Sequence, residues 1–265
     1  MTTQEQHLSD LEQIKKFRLL DDDFMNKFFE EQPQLVAFVL RIILNDETIE
    51  VKEHLSQTQY VIKGLQGHDI ALDIHAVSEN LSEYNVEVQR SKLGAAARRA
   101  RRNHSFMDAN CKNPGKYGIN LPESYVIVFT ETDIHKGKKP MYVVRKTMDG
   151  ITPYDDGSHT VYINGAYKGT DTELGKLIHD FRCTEAKEMF FSNLADRARY
   201  LKETEEGVAN MCEYMEKRVD EAKNAMILNM FKEKCTVEFI AKISEKSIEY
   251  VSNIGKNNGF IVNAN

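Results

Sequence analysis

Two short segments of this chain alternate apolar and polar residues, and each has an acidic side chain at one of its polar positions. The first reads IALDIHAV over residues 70–77, and the second reads YNVEVQ over residues 84–89. Because successive side chains of a strand point to opposite faces, the alternation predicts two β-strands, joined through the turn-prone residues 78–83. The fold must therefore contain a sheet.

Helical and strand patterns surround these two segments. Apolar residues recur at helical spacing over residues 23–44, where Pro33 can begin a second helix, and an Ala- and Arg-rich helix is predicted over residues 93–109. Further strands are predicted at residues 61–62, 125–129, 141–144 and 161–163. Helices on either side of the strands predict an α/β or α+β core.

The rest of the chain is helical in pattern. From residue 171 onward the apolar residues keep helical spacing, including a long helix over residues 205–234 and two brief helices over residues 236–254. We therefore expect a mixed core over residues 1–168 and a helical extension with a small helix-pair tail over residues 169–265.

Composition excludes several classes of protein. The 265 residues are 41% hydrophobic and 29% charged, which is typical of a globular protein with a substantial core. The longest apolar stretch, residues 37–44, is far shorter than the roughly 18 residues that cross a bilayer. The N-terminal sequence MTTQEQHLSD has neither the basic start nor the apolar centre of a secretory signal. We expect a soluble cytoplasmic protein with no membrane partner.

Cysteine spacing argues against a structural metal site and against disulfides. The four cysteines are Cys111, Cys183, Cys212 and Cys235, and no two of them have the close spacing of a zinc site. We expect reduced, mostly buried thiols.

Charge is distributed unevenly along the chain. The net charge of −6 alone argues against a nucleic-acid partner. However, residues 1–89 have a net charge of −10, residues 90–146 of +9 and residues 147–265 of −5. A strongly basic segment in an acidic protein creates a local positive field, which favours an anionic partner.

Three polar residues on the two predicted strands could form a metal site. Glu87 and Gln89 share one face of their strand, and Asp73 projects from the neighbouring strand. Two carboxylates a few Å apart repel each other unless a cation lies between them, and Mg²⁺ prefers oxygen ligands. The alternative is that these side chains are the solvent-facing positions of a half-buried sheet. Spacing alone does not choose between the two.

The residues after Gln89 favour phosphate binding. Six basic and no acidic residues lie between Arg90 and Arg102. Guanidinium groups suit phosphate oxygens, through contacts that position a nucleic-acid backbone without reading its sequence. A solvated charged helix face is the alternative. We interpret four arginines as a DNA-binding surface: Arg98, Arg99, Arg101 and Arg102.

This ordered set of segments resembles a known family. Asp73, thirteen connecting residues and then Glu87-Val88-Gln89 is similar to the D-x(n)-(D/E)-x-K signature of the PD-(D/E)XK nucleases. More narrowly, the chain resembles the bacterial PD-(D/E)XK nuclease family transposases, related to the recombination-promoting nucleases, in which Gln commonly ends the motif. The segments DDDFMNKFF, IALDIHAV, YNVEVQR and RRARRNHSFMD occur in the order that this family has. The resemblance spans residues 21–251.

The resemblance implies a fold, a cofactor and site residues. The fold is a restriction-endonuclease-like core, a central mixed sheet flanked by helices. Asp73 and Glu87 are implied as Mg²⁺ ligands, with the backbone carbonyl of Val88 as a third oxygen and Mn²⁺ as a substitute metal. Gln89 takes the place of the motif lysine, which in the wider superfamily activates the attacking water. Gln is neutral and can only orient a water molecule or contact phosphate.

Several neighbouring residues keep two interpretations each. Asp22 or Asp23 matches the front-helix acid of the family, which reaches the metal through water, but either could instead cap that helix. His75 could contact the substrate or the metal shell, or be structural. His104 could contact phosphate or pack in the core. The C-terminal tail resembles the family's helix pair, and we interpret it as a docking or dimerising element rather than a DNA reader.

The sequence thus predicts a Mg²⁺-dependent DNA endonuclease that hydrolyses phosphodiester bonds, linked to recombination, mobile elements or phage defence. The alternative is a nuclease-like DNA-binding or regulatory module with weak or no catalysis, which the Gln at position 89 supports. The chain has no G-x-G-x-x-G and no P-loop, so we expect no organic cofactor. The long C-terminal helices favour a homodimer.

Overall fold

The computed structural model describes residues 11–60, 70–78, 81–90, 95–111 and 120–260, without the side chains of residues 53–60 and 70–73. Contacts divide the chain into two compact units, Met1–Val208 and Ala209–Asn265. This division falls after Val208, and the expected domains of residues 1–168 and 169–265 stay a prediction.

A mixed six-stranded sheet forms the centre of the first unit. Its strands are β1 (Val51–Tyr60), β2 (Ile70–Ser78), β3 (Glu83–Gln89), β4 (Ser124–Thr130), β5 (Met141–Val143) and β8 (Ser158–Asn164), and β6 (Thr147–Met148) and β7 (Thr152–Pro153) form a separate hairpin. The order across the large sheet is β1-β2-β3-β4-β8-β5. Strands β3, β4 and β8 are parallel, whereas β1, β2 and β5 pair antiparallel with their neighbours.

Most strands of the large sheet were predictable, but β1 was not, and neither were β6 and β7 of the separate hairpin. The strands predicted around residues 70–77, 84–89, 125–129, 141–144 and 161–163 are confirmed as β2, β3, β4, β5 and β8. The predicted strand at residues 61–62 lies outside the described residues. Strand β1 has the sequence VKEHLSQTQY, which contains no apolar run. It lies at the edge of the sheet and pairs with β2 alone, a position that requires less apolar surface than a central strand.

Helices flank this sheet, as the sequence predicts for an α/β protein. They are a segment over residues 11–16 (α1), α2 (Asp22–Phe29), α3 (Pro33–Leu44), α4 (Ala97–Asn110), α5 (Glu173–Arg182), α6 (Ser192–Glu203) and the start of α7 (Glu205–Lys232), with a 3₁₀ turn at Ala186–Glu188. Pro33 begins α3 directly after Gln32, where two helices were expected to meet. Helix α4 begins at Ala97 because the backbone of Ala96 is extended.

The two faces of the sheet pack differently. On one face, Phe129 of β4 stacks on Phe181 of α5, with ring centroids 4.2 Å apart and both side chains fully buried. Phe181 also contacts Phe29 of α2 at 6.3 Å, so aromatic packing links α2 and α5 to the sheet. On the other face, α4 packs Ala100 and Met107 against a small apolar cluster that includes Val126 and Val128 of β4.

The second unit is helical. It contains the remainder of α7, α8 (Val237–Ser244) and α9 (Ile248–Asn257), and the left-handed backbone of Glu245, with φ of 55°, ends α8 near the predicted break. Its core is a cluster of buried side chains: Ile227, Phe231, Val237, Ile240, Ala241 and Val251. None of the helices in the described part of the chain has the length and apolar content needed to traverse a bilayer.

Candidate metal centre and nucleic-acid interface

Strand β3 buries a column of polar side chains against helix α4. Asn85 pairs in register with Val126 of β4, and Glu87 pairs with Val128, so all four side chains lie on the α4 face of the sheet. Asn85 is fully buried and Glu87 is 1% exposed. A carboxylate at this depth requires compensating donors or a cation.

Three side chains supply hydrogen-bond donors to the Glu87 carboxylate. Nδ2 of Asn103 donates to Oε1 at 2.5 Å, and it also donates to Oδ1 of Asn85 at 3.0 Å. Nε of Arg99 donates to Oε2 at 3.2 Å, and Nε2 of Gln89 donates to the same oxygen at 3.3 Å. Asn103 and Arg99 are four residues apart on α4 and therefore lie on the same side of the helix. Both oxygens of Glu87 are thus bound.

Burial and charge act in opposite directions on Glu87. Burial raises the pKa of the Glu87 carboxyl above its usual range, because it removes water from the charged form. The positive charge of Arg99 and the donors of Arg99, Asn103 and Gln89 lower the pKa. A carboxyl whose ionisation depends on its neighbours is typical of functional sites.

Of the three predicted metal ligands, Glu87 and Val88 are described in full, and Asp73 is described by its backbone alone. The register pairs Ile74 of β2 with Val86 of β3, and continuing it by one residue sets position 73 opposite Glu87. The side chain of Asp73 lies outside the described residues. Val88 follows Glu87 directly in β3, and its buried side chain lies on the opposite face of the strand.

The four arginines predicted to bind DNA separate into two groups. Arg99 turns toward Glu87, although its side chain is 45% exposed. Arg98, Arg101 and Arg102 are exposed on α4, and the guanidinium of Arg102 lies 5.6 Å from the centre of the Phe106 ring. Among the described residues, Arg98 and Arg101 have no ion pair. Unpaired exposed arginines on one helix can accept phosphate groups.

The acidic residues of the front helix are not its side-chain caps. The N-cap residue of α2 is Asp21, and its carboxylate binds Arg18 instead of the helix backbone. Asp22 and Asp23 lie in the first helical turn, so the capping interpretation is wrong for both. The pKa of Asp22 is raised by loss of hydration and by repulsion from Asp23, whereas Arg90 and Arg99 lower it. Asp22 therefore lies within electrostatic range of Arg99, as Glu87 does.

A cluster of four charged residues joins the start of α2 to the ends of the parallel strands. Arg18 pairs with Asp21 at 2.9 Å and with Glu131 at 3.0 Å. Arg90, which follows β3, pairs with Glu131 at 3.0 Å and with Asp21 at 3.5 Å. Glu131 follows β4, so the cluster holds the front helix beside the carboxyl ends of β3 and β4. Ligands of α/β proteins commonly bind at this edge of the sheet.

His75 and His104, for which two interpretations were left open, both contact polar side chains of the same chain. Nε2 of His75 lies 3.0 Å from Oε2 of Glu83, in a nearly buried pair at the far end of the β3 polar column. The ring nitrogens of His104 lie 2.9 Å from Oγ of Ser124 and 3.1 Å from Oγ1 of Thr160. His104 is 8% exposed and ties α4 to β4 and β8, so the packing interpretation is confirmed for His104.

Two other clusters within the described residues have metal-ligand chemistry. His179, Asp180 and Cys183 lie together at the end of α5, and Glu123, Asp155 and His159 lie together on the surface. Both oxygens of Asp180 accept backbone N–H groups, of Phe190 and Phe191, and burial raises the pKa of Cys183 to about 11, which favours the thiol. Sequence spacing identified neither cluster.

Comparisons of the chain with protein-family models, with curated proteins and with solved structures find no match.

The environment of His104 predicts a change of stability with pH. Burial, and then the charge of Lys146, lower the pKa of His104 from 6.5 to about 4. Above pH 6.5 the imidazole is neutral in both the folded and unfolded states. Between pH 6.5 and pH 4 only the unfolded chain gains this proton, so the free energy of unfolding falls, by at most roughly 3 kcal/mol.

Urea unfolding of His104→Gln measures this contribution. The variant should lose the part of the decline between pH 6.5 and pH 4 that His104 causes. The same substitution at the exposed His135 serves as the control and should leave the decline in place. Parallel pH profiles for the wild type and His104→Gln would contradict the prediction.

Proposed function

We propose that this protein is a Mg²⁺-dependent DNA endonuclease with a restriction-endonuclease-like core of the PD-(D/E)XK type, acting on DNA in the cytoplasm. The observation that carries the proposal is the buried Glu87 carboxylate. Continuing the β2–β3 register by one residue sets it opposite position 73, and it lies beneath a helix whose outer face presents arginines. The family resemblance of the ordered sequence segments supports the same assignment.

The residues at the site fit Mg²⁺. The donor set of Glu87 and Asp73 consists of carboxylate oxygens, the ligands that Mg²⁺ takes, with the carbonyl oxygen of Val88 as the proposed third ligand. A bound Mg²⁺ would polarise a phosphoryl oxygen and lower the pKa of a water molecule. Of the front-helix acids, we favour Asp22 for a contact through water, because the charge of Arg99 acts on it.

The remaining side chains would position the substrate. Gln89 lies at the end of β3 beside Glu87, where its amide can orient the attacking water by donating and accepting hydrogen bonds. Arg98, Arg101 and Arg102 would hold the phosphate backbone without reading bases. Asn103 holds the Glu87 carboxylate and is itself held by Asn85, and because both are buried they would position Glu87 rather than bind the substrate.

One observation favours a second candidate, a DNA-binding or regulatory module that does not cleave. Gln89 donates to Glu87 at 3.3 Å, and no lysine occupies the third motif position. A neutral amide cannot replace the charge of a lysine in activating water. This candidate keeps the arginine surface and loses the chemistry.

Metal-dependent nicking of supercoiled plasmid tests the endonuclease assignment. Glu87→Gln and Asp73→Asn should each reduce nicking in Mg²⁺ by at least about a hundredfold, because each removes a ligand charge of the metal. Glu123→Gln, in the surface cluster, is the control and should nick like the wild type. Circular dichroism verifies that the variants are folded.

Undiminished cleavage by both site variants would refute the assignment. If the wild type binds DNA tightly but does not nick it in Mg²⁺ or Mn²⁺, the non-cleaving module is the correct function.

The salt dependence of DNA binding tests the arginine surface. Replacing Arg98 and Arg101 together with Gln should weaken binding to every sequence alike and reduce the slope of log K against log salt by about 2, since each phosphate contact contributes about 0.9. The control replaces Lys232 and Lys234, two exposed lysines, in the same way. Fluorescence anisotropy with two unrelated duplexes gives the slopes, and a slope equal to that of the wild type would contradict the interface.

A further inference from the structure

We propose that Arg99 regulates metal loading, because its guanidinium and the divalent cation compete for the same oxygen of Glu87. This inference rests on the proposed function, in which Glu87 is a metal ligand. Arg99 pairs with Glu87 before metal binds and leaves Glu87 when metal binds.

The three donors to Glu87 are not equally able to leave. Asn103 is 2% exposed, and its amide nitrogen binds Glu87 Oε1 and Asn85 Oδ1 together, so it is fixed in the core. Arg99 binds the other oxygen, Oε2, from a side chain that is 45% exposed. A long, half-exposed side chain can rotate into water and remain solvated. Gln89 binds the same oxygen but carries no charge, so Arg99 is the one cation among the three donors, and it can give up its contact.

Charge makes the two cations mutually exclusive at Oε2. A carboxylate that is 1% exposed needs a compensating positive charge, and Arg99 supplies one at 3.2 Å. A divalent cation on the same oxygen would lie within a few Å of the guanidinium and repel it. Either cation satisfies Glu87, and the arrival of one favours the departure of the other.

The released guanidinium can join the other exposed arginines of the same helix. Arg98, Arg101 and Arg102 are exposed beside Arg99, and together they form the arginine surface proposed to hold phosphate. A phosphate group that binds Arg99 draws it away from Glu87, which opens Oε2 to the metal. By thermodynamic reciprocity, metal binding then strengthens phosphate binding by the same factor. DNA and the metal would thus promote each other's binding.

Titration calorimetry with Mn²⁺ alone tests the competition in the full chain. Arg99→Gln removes the competing charge and should bind Mn²⁺ about tenfold more tightly than the wild type, in keeping with the strength of a charge-assisted hydrogen bond. Arg98→Gln, an adjacent exposed arginine without an ion pair in the described structure, controls for net charge and should change the affinity by less than about twofold.

Thermal unfolding provides a second readout, which separates competition from a folding defect. Arg99→Gln should lower the Tm in the absence of metal, since buried Glu87 loses its cation, and Mn²⁺ should raise the Tm more than it does for the wild type. Mn²⁺ affinity that is unchanged or weaker in Arg99→Gln, or equally tightened in Arg98→Gln, would overturn the inference.

Glu87→Gln distinguishes a failure of the proposed function from a failure of the competition by Arg99. If Glu87→Gln binds Mn²⁺ as tightly as the wild type, the metal binds elsewhere and the proposed function fails. If Glu87→Gln loses Mn²⁺ binding while Arg99→Gln behaves like the wild type, the metal site stands and only the competition by Arg99 is refuted.

Discussion

The buried carboxylate of Glu87 is the constraint on which the arrangement of the first unit depends. A charge that is 1% exposed on a central strand must be compensated, and three neighbouring side chains do this with hydrogen bonds of 2.5–3.3 Å. Two of these side chains, Arg99 and Asn103, come from α4, so the helix is held over β3 by polar contacts as well as by its apolar cluster. An apolar residue at position 87 would pack more simply here, which makes the retained charge an argument for function.

The sheet topology places this carboxylate near the edge of the sheet at which ligands of α/β proteins commonly bind. Strands β3, β4 and β8 run parallel, and Glu87 lies near the carboxyl end of β3. The ion-pair cluster of Arg18, Asp21, Arg90 and Glu131 brings the front helix to the same edge. Meanwhile the stacked Phe129 and Phe181 fill the opposite face, so that face is a packed core. One face of the sheet thus forms a packed aromatic core, and the other face, under α4, contains the candidate site.

The sequence predicted features that depend on local patterns. Alternation along residues 84–89 predicted strand β3 and the shared face of Glu87 and Gln89. Pro33 predicted the start of α3. Features that depend on contacts between distant residues were missed. Asn103 looks like an ordinary helix residue, and its role appears only when α4 lies on β3, although its spacing of four residues from Arg99 was a usable signal.

The four arginines illustrate the same limit. They are close in sequence and were assigned one role, yet helical geometry directs Arg99 toward the sheet and Arg98 and Arg101 toward solvent. Edge strand β1 was missed because it needs no apolar run, and the contact-based division after Val208 depends on packing that no composition change marks. Local patterns determined the elements, and tertiary contacts determined which polar residues share a site.

Anomalous diffraction from crystals soaked in Mn²⁺ would show whether Glu87 and Asp73 share one divalent cation. We expect an anomalous peak about 2.1 Å from a carboxylate oxygen of Glu87, with Asp73 as a second ligand. A peak among Glu123, Asp155 and His159, or at His179 and Cys183, with none beside Glu87, would refute the shared site.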